Sequence, residues 1–204
     1  MIRLAVLLSG SGTTLQNFID RIAARQLDAR IEVVVSSRPS AFGLERAGAA
    51  GIPAVAVDRR AATSMDSFND ALHEALRPHA PDLVVLAGFL SPFQLRSTYA
   101  GRVMNVHPAL IPAFSGQGFY GRRVHEAVLA AGVRVSGCTV HFADDEYDHG
   151  PIILQRVVPV LDDDTPETLA ARVHVAELEA YPEAVRLFAE NRLEIAGRRV
   201  RIRW

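Results

Sequence analysis

Short apolar runs alternate with amphipathic stretches through the first half of the chain. Continuous apolar runs are typical of buried parallel strands, and apolar residues spaced three or four apart are typical of helices. The runs predict strands at Ile2–Leu8, Ile31–Val35, Pro53–Val57, Leu83–Ala87 and Val103–Val106. The stretches between them predict helices at Leu15–Arg25 (capped by Thr14), Phe42–Ala50 and Ser64–Leu76. This alternation indicates right-handed crossovers and a parallel sheet.

The pattern changes after residue 107. Proline and glycine mark Pro108–Tyr120 as a loop, and Gly121–Ala131 is predicted as a helix. Val135–Phe142 and Ile152–Val160 flank an acidic turn, which predicts an antiparallel pair of strands. The remaining pattern predicts a long helix over Pro166–Glu190, capped by Thr165, and a hairpin over 193–203. We therefore expect one α/β domain over 1–204, with a mostly parallel sheet and antiparallel C-terminal strands.

Composition narrows the classes of function. The chain has 204 residues, of which 49% are hydrophobic and 22% charged, so a globular core can form. A formal net charge of -1 gives no overall attraction for nucleic acid or an anionic membrane, and we expect neither as a partner. The single cysteine, Cys138, excludes an intrachain disulfide and fits a reducing cytoplasm. The N-terminal apolar run is too short for a signal peptide or a membrane span.

A glycine-rich loop, Ser9–Thr14, follows the first predicted strand and leads into the first predicted helix. Small residues in this place let backbone amides approach an anion at the helix N-terminus. A dinucleotide-binding loop is not favoured, because Leu15 stands where its third glycine belongs. The lysine of a Walker A loop is absent too. A small phosphate cradle and a tight turn without a ligand remain equally good interpretations.

Asn105 and His107 end the fifth predicted strand, on the same side of it. Ligands of open parallel sheets bind at this edge. An amide and an imidazole together can stabilise an oxyanion and move a proton. A lone histidine in such a place, however, more often only binds backbone carbonyls.

The acidic turn supplies a partner for His107. A carboxylate folded back toward the imidazole would favour its protonated form. The sequence does not choose among Asp144, Asp145 and Asp148. His141 alternates with its neighbours on a strand, so it could face the same cleft or lie at the edge of the core.

These segments together resemble the folate-dependent formyltransferases, in particular those that act on glycinamide ribonucleotide. The matching stretches are Leu8–Gln16, Ala41–Ala47, Leu86–Phe89, Asn105–Pro112, Thr139–Phe142 and Asp148–Gln155. The resemblance implies a Rossmann-like three-layer fold, with a phosphate-binding half over 1–100 and a catalytic and folate-binding half over 101–204. It also implies transfer of the formyl group of 10-formyltetrahydrofolate to the ribonucleotide amine in de novo purine synthesis, in the cytoplasm.

The resemblance assigns roles residue by residue. Asn105 would hold the formyl oxygen, His107 would donate a proton, and Asp148 would keep His107 charged and order a water. The implied ribonucleotide contacts are Gly12, Thr13, Thr14, Arg172, His174 and Glu177. The implied folate contacts are Phe89, Leu90, Asn105, Val140, His141 and Asp144. The substrates would be small molecules, no metal would be required, and the chain would be a monomer or a weak homodimer.

Two departures from the family pattern concern the folate contacts. The stretch after Gly88-Phe89 is about two residues shorter than usual and lacks an arginine, and Met65 stands where a second arginine is expected. Three other interpretations remain. The first is another member of the same superfamily, either a formyltransferase acting on methionyl-tRNA or a formyl-folate hydrolase. The second is a metal hydrolase using His107, His141 and Asp148. The third is a phosphate-binding module without catalysis.

Overall fold

The computed structural model describes residues 1–203, and the chain divides into two compact units. The first unit is Met1–Met104, and the second begins at Asn105. Strand β5 (Val103–His107) crosses this boundary.

Four parallel strands form the centre of the first unit, in the order β3-β2-β1-β4. They are β1 (Ile2–Leu8), β2 (Ala29–Ser36), β3 (Ala54–Ala56) and β4 (Leu83–Leu86). The helices are α1 (Thr13–Ala23), α2 (Phe42–Ala49), α3 (Met65–Leu76) and the short α4 (Arg96–Tyr99), with a 3₁₀ turn at Arg77–His79. Side chains of β1, β2 and β4 that are completely buried make the core, including Leu4, Val33 and Val84. The predicted parallel pairing is confirmed.

The start of α1 differs from the prediction. Gly12, not Thr14, is the N-cap, and no side chain caps the helix. Gly12 takes a left-handed conformation (φ 72°, ψ 29°), which suits glycine because it has no Cβ. A Cβ on Gly12 would also lie 2.7 Å from the Gly43 Cα. Gly12 therefore occupies the N-cap position because of its backbone conformation and its close packing on α2.

In the second unit, two antiparallel strands pack against a long helix. The elements are α5 (Arg122–Ala130), β6 (Val135–Phe142), β7 (Ile152–Pro159), α6 (Pro166–Ala189), β8 (Leu193–Ala196) and β9 (Arg199–Ile202). β6 and β8 pair antiparallel with β7 and β9 respectively, as predicted, while β9 runs parallel to β7. Within residues 1–203, no helix is long and apolar enough to cross a membrane.

The predicted cap of α6 is confirmed. Thr165 accepts a hydrogen bond from the Thr168 amide at 3.3 Å, and the Thr168 hydroxyl accepts one from the Thr165 amide at 2.9 Å. Pro166 occupies the first turn, where an amide proton would have no helical partner. Leu169 and Val173 are completely buried, and the helix packs on β6 and β7. This packing fixes the face of α6 on which Glu177 lies.

Candidate active site

His107 lies at the end of β5 with only 4% of its surface exposed. Its Nε2 donates a hydrogen bond to the Phe114 carbonyl oxygen at 2.8 Å. Its Nδ1 lies 3.3 Å from Oδ2 of Asp148. A carbonyl and a carboxylate can only accept, so each ring nitrogen faces an acceptor. When the ring is protonated, both nitrogens can donate to these acceptors.

Asp148 follows β6 in the acidic turn and has a left-handed backbone (φ 53°). Its Oδ2 also accepts a hydrogen bond from the Gly116 amide at 3.0 Å. Burial acts to raise the pKa of Asp148, but the His141 side chain, the charge at His107 and the Gly116 amide outweigh it. The pKa of Asp148 therefore lies below its ordinary value, and the carboxylate is ionised.

Asn105 points its amide nitrogen toward two acceptors. Nδ2 lies 3.2 Å from His141 Nε2 and 3.4 Å from Asp148 Oδ1. Nδ1 of His141 donates to the carbonyl oxygen of the neighbouring Phe142 at 2.9 Å, so Nε2 is the ring nitrogen that faces Asn105. Both amide protons of Asn105 are thus engaged, and the 3.4 Å contact is the weaker of the two.

The structure resolves the choice among the three aspartates. Asp148 faces His107, whereas Asp145 is exposed and Asp144 binds the ring of His149 at 2.7 Å. His141 is 2% exposed, and its Nε2 lies 3.2 Å from Nδ2 of Asn105, so its ring belongs to the same cluster of side chains.

Val140, a predicted folate contact, lies on β6. Its side chain is completely buried, and its position on β6 is paired with Leu154 of β7. The folate contact predicted at Val140 stays a prediction and would be made through its backbone, because its side chain belongs to the core.

Three predicted substrate residues lie on α6. Nδ1 of His174 and Oε2 of Glu177 are 3.1 Å apart, and this bond outweighs burial and raises the pKa of His174. Arg172 is engaged elsewhere: its guanidinium binds Asp164 through two bonds of 2.7 and 2.9 Å, and the Pro159 carbonyl oxygen at 2.9 Å. His174 and Glu177 form a pair, while the Arg172 guanidinium is directed to the start of the helix.

The glycine-rich loop turns its carbonyl groups toward α2. The Gly43 amide donates to the Gly10 carbonyl at 3.1 Å, and Arg46 Nε donates to the Ser11 carbonyl at 2.9 Å. The first amides of α1 have no helical acceptor, no side chain caps them, and the first turn holds no acidic residue. This electrostatic environment suits an anion at Gly12, Thr13 and Thr14.

The loop after β4 carries the predicted folate residues Phe89 and Leu90. The Leu90 amide donates to the Ser9 hydroxyl at 2.9 Å, and that hydroxyl lies 2.6 Å from the buried Ser37 hydroxyl. The Leu90 side chain is 51% exposed, and Phe89 stacks on Phe68 with ring centres 6.4 Å apart. Buried hydroxyls thus fix the backbone of this loop and leave Leu90 accessible.

Helix α3 anchors the shortened stretch, a feature that the sequence analysis missed. Asn69, completely buried, accepts the Gln94 amide proton at 2.8 Å, and His73 Nε2 binds the Gln94 carbonyl at 2.8 Å. Asn69 and His73 are four residues apart on α3, beside its apolar face. Polar residues in that position of a helix are the signal that could have indicated an anchor.

Two further backbone contacts at the site were also missed, those of Phe114 and Gly116. Both lie in the loop after β5, and both have positive φ, 51° and 90°. A phenylalanine rarely adopts this conformation.

Among residues 1–203, no group of three or more histidine, cysteine or acidic side chains is arranged to hold a metal ion.

Comparison with known proteins identifies the family. The formyl transferase family model matches residues 2–185. The chain belongs to the formyl transferase family. The predicted resemblance is confirmed, and so is the predicted fold class. A solved glycinamide ribonucleotide transformylase from Symbiobacterium toebii superposes on this formyl transferase with a TM-score of 0.93 and 46% identity, covering 99% of this chain and 94% of that one.

Curated relatives of this formyl transferase differ in length. Phosphoribosylglycinamide formyltransferase of Haemophilus influenzae is 36% identical, over 96% of this chain and 91% of the relative. A trifunctional purine biosynthetic protein of Bos taurus is 40% identical over 99% of this chain. The chain spans only 20% of the length of that relative.

Proposed function

We propose that this formyl transferase moves the formyl group of 10-formyltetrahydrofolate to the amine of glycinamide ribonucleotide, the reaction of de novo purine synthesis. The observation that carries the proposal is the cluster of His107, Asp148 and Asn105, in which an imidazole, a carboxylate and an amide lie within hydrogen-bonding distance. Family membership and the relatives' names support the same reaction.

The transfer begins when the substrate amine attacks the formyl carbon, which places negative charge on the formyl oxygen. His107 donates to this oxygen through Nε2, exchanging its bond to the Phe114 carbonyl for one to the substrate. Asn105 donates to the same oxygen by giving up its longer bond to Asp148. The intermediate then collapses: the bond from the formyl carbon to N10 of the folate breaks, and a proton passes from the amine to N10 through water.

Asp148 is a positioning residue in this mechanism. Its carboxylate holds Nδ1 of His107, so that Nε2 carries its proton toward the substrate. Since the Gly116 amide fixes Oδ2, the carboxylate remains ionised and oriented.

The ribonucleotide is proposed to bind through its phosphate and its amine. The amides of Gly12, Thr13 and Thr14 take the phosphate at the N-terminus of α1. Glu177 accepts from the glycinamide group, with His174 holding the carboxylate in place. Because the Arg172 guanidinium is already bonded to Asp164 and Pro159, we assign Arg172 the support of α6 rather than a substrate contact.

The folate carrier is proposed to bind along the loop after β4 and the acidic turn. Phe89 and Leu90 supply apolar contact, and the turn that carries Asp144 supplies backbone groups for the pterin. We propose no metal in the reaction, because protonated His107 supplies the positive charge that a metal would otherwise supply.

A spectrophotometric assay tests the reaction directly. We expect consumption of 10-formyltetrahydrofolate that depends on glycinamide ribonucleotide and is lost in His107→Ala. Three controls test the alternatives: charged methionyl-tRNA as acceptor, the carrier alone, and a chelator. Turnover with tRNA, hydrolysis of the carrier without an acceptor, or loss of activity with the chelator would each contradict the proposal.

A further inference from the structure

Arg59 lies three residues after β3, and its side chain contacts one ring of an aromatic pair. Its guanidinium carbon is 5.6 Å from the centre of the Phe68 ring, a side chain with no exposed surface. Phe68 stacks in turn on Phe89, with ring planes 10° apart. The Arg59 amide donates to the Ser37 carbonyl at 3.1 Å, which fixes the backbone at this point. The half-buried Arg59 is thus connected to Phe89, a residue of the proposed carrier site, through the ring of Phe68.

The other arginines of this part of the first unit are engaged or exposed. Arg77 is paired with Glu74 at 2.6 Å, and Arg96 is paired with Asp70 at 2.5 Å. Arg60 is exposed. In the described chain, residues 1–203, Arg59 has no carboxylate within ion-pair distance. Arg59 is therefore held against Phe68 and has no anionic partner in the part of the chain that the structure describes.

The chemistry of this arrangement suits a carboxylate ligand. An arginine held against an aromatic ring keeps the donors at its edge available. These donors match the two oxygens of a carboxylate, and the pairing is strengthened by charge. Since Arg59 is ordered beforehand, less side-chain entropy is lost when the anion binds.

We propose that Arg59 binds a carboxylate of the glutamate tail of the folate carrier. This inference rests on the proposed function. The folate stretch of this chain is short and lacks an arginine, and Met65 occupies the second expected arginine position. Arg59 supplies a cation beside the Phe68–Phe89 pair from a different part of the chain.

The test combines a change in the protein with a change in the carrier. Formyl transfer is measured at saturating ribonucleotide with 10-formyltetrahydrofolate and with 10-formyltetrahydropteroate, which lacks the glutamate. Arg59→Gln is compared with Arg60→Gln as the matched control. We expect Arg59→Gln to raise the KM for the complete carrier about tenfold or more, with little change in kcat, as loss of a charged hydrogen bond predicts. Arg60→Gln leaves both constants unchanged.

The carrier without glutamate gives the decisive comparison. If Arg59 binds the tail, removing the tail raises the wild-type KM by a similar factor, and Arg59→Gln adds no further loss. Additive losses, or a rise in the KM for the ribonucleotide instead, would overturn the assignment. Arg59→Lys keeps the charge but not the planar group, so we expect an intermediate KM.

Binding measurements separate this inference from the proposed reaction. Calorimetric titration with tetrahydrofolate reports carrier affinity without turnover, in the wild type and in Arg59→Gln. An inactive wild type that still binds tetrahydrofolate in an Arg59-dependent way contradicts only the reaction. An active wild type whose carrier affinity is the same in Arg59→Gln contradicts only the role of Arg59.

Discussion

The side-chain amide of Asn105 lies 3.2 Å from Nε2 of His141, and this contact determines which way the amide points. With Nδ2 on the side of His141 and Asp148, the amide cannot turn over without placing its oxygen against a carboxylate. His141 is therefore a positioning residue for Asn105, and it is held in turn by the Phe142 carbonyl.

Replacing His141 tests this relationship. We expect His141→Leu to fold and to lower kcat about tenfold, because the Asn105 amide loses the acceptor that orients it. Steady-state kinetics give the measurement. His79→Gln is the control, since His79 lies on the 3₁₀ turn after α3, outside the candidate site, and should leave kcat unchanged. Equal rates for His141→Leu and the wild type would remove the positioning role.

The substitution Asp148→Asn removes the charge of the side chain but keeps its shape. Asparagine tolerates the left-handed backbone that Asp148 adopts, so the turn is expected to remain folded. We expect kcat to fall about 10²- to 10⁴-fold, the usual range for losing acid–base assistance, with little change in ribonucleotide affinity. Exposed Asp145→Asn is the matched control. Single-turnover rates and calorimetric binding measure the two effects, and comparable losses in both would contradict this assignment.

Acid stability provides a second test of Asp148. The surroundings lower its pKa in the folded chain, so its ionised form stabilises the fold. This stabilisation is complete above the pKa of the unfolded chain, about 4, and is lost as the pH falls through the lower folded pKa. Urea unfolding should show a constant difference between wild type and Asp148→Asn near neutral pH, and a smaller difference in acid. A difference that grows in acid would contradict the lowered pKa.

Gly12→Ala tests the glycine-rich loop. The new Cβ would lie 2.7 Å from the Gly43 Cα on a backbone with φ 72°. We expect the unfolding free energy to fall by about 1 kcal/mol or more, and the KM for the ribonucleotide to rise as the amides move. Gly10→Ala is the control, because a Cβ there meets nothing within 4 Å. Similar behaviour of the two variants would show that the close approach of Gly12 and Gly43 is unimportant.

Cys138 is expected to be unreactive in the folded chain. Its side chain is completely buried on β6, and burial, together with the charge of Glu177, raises the pKa of the thiol to about 12. The thiolate that reacts with iodoacetamide is therefore scarce near neutral pH. Mass spectrometry should detect alkylation in urea but not in buffer. Rapid alkylation of the native chain would contradict this burial.

The strands were largely predictable because burial on both faces leaves continuous apolar runs. Ile2–Leu8 and Val135–Phe142 have the predicted limits. The start of α1 was not predictable in this way, since a left-handed glycine and its approach to Gly43 decide it. Helix α4 is only four residues long, too short for apolar periodicity to reveal.

The candidate site was predictable in part. The ends of parallel strands indicated Asn105 and His107, but a pattern along the chain could not choose Asp148 from its neighbours. That choice depends on the left-handed turn at Asp148 and on the Gly116 amide, which is 32 residues away in sequence. The contact between Asn105 and His141 likewise joins residues 36 positions apart.

Both the amide and the carbonyl of Gln94 are anchored to α3, and this limits which changes in chain length the fold can accept. Because α3 holds the amide and the carbonyl of Gln94, a change in chain length before it cannot propagate into α4. Residues inserted after the exposed Leu90 would project as a bulge into solvent. The loop after β4 can therefore lengthen or shorten among related proteins while α3 and α4 keep their positions in the fold.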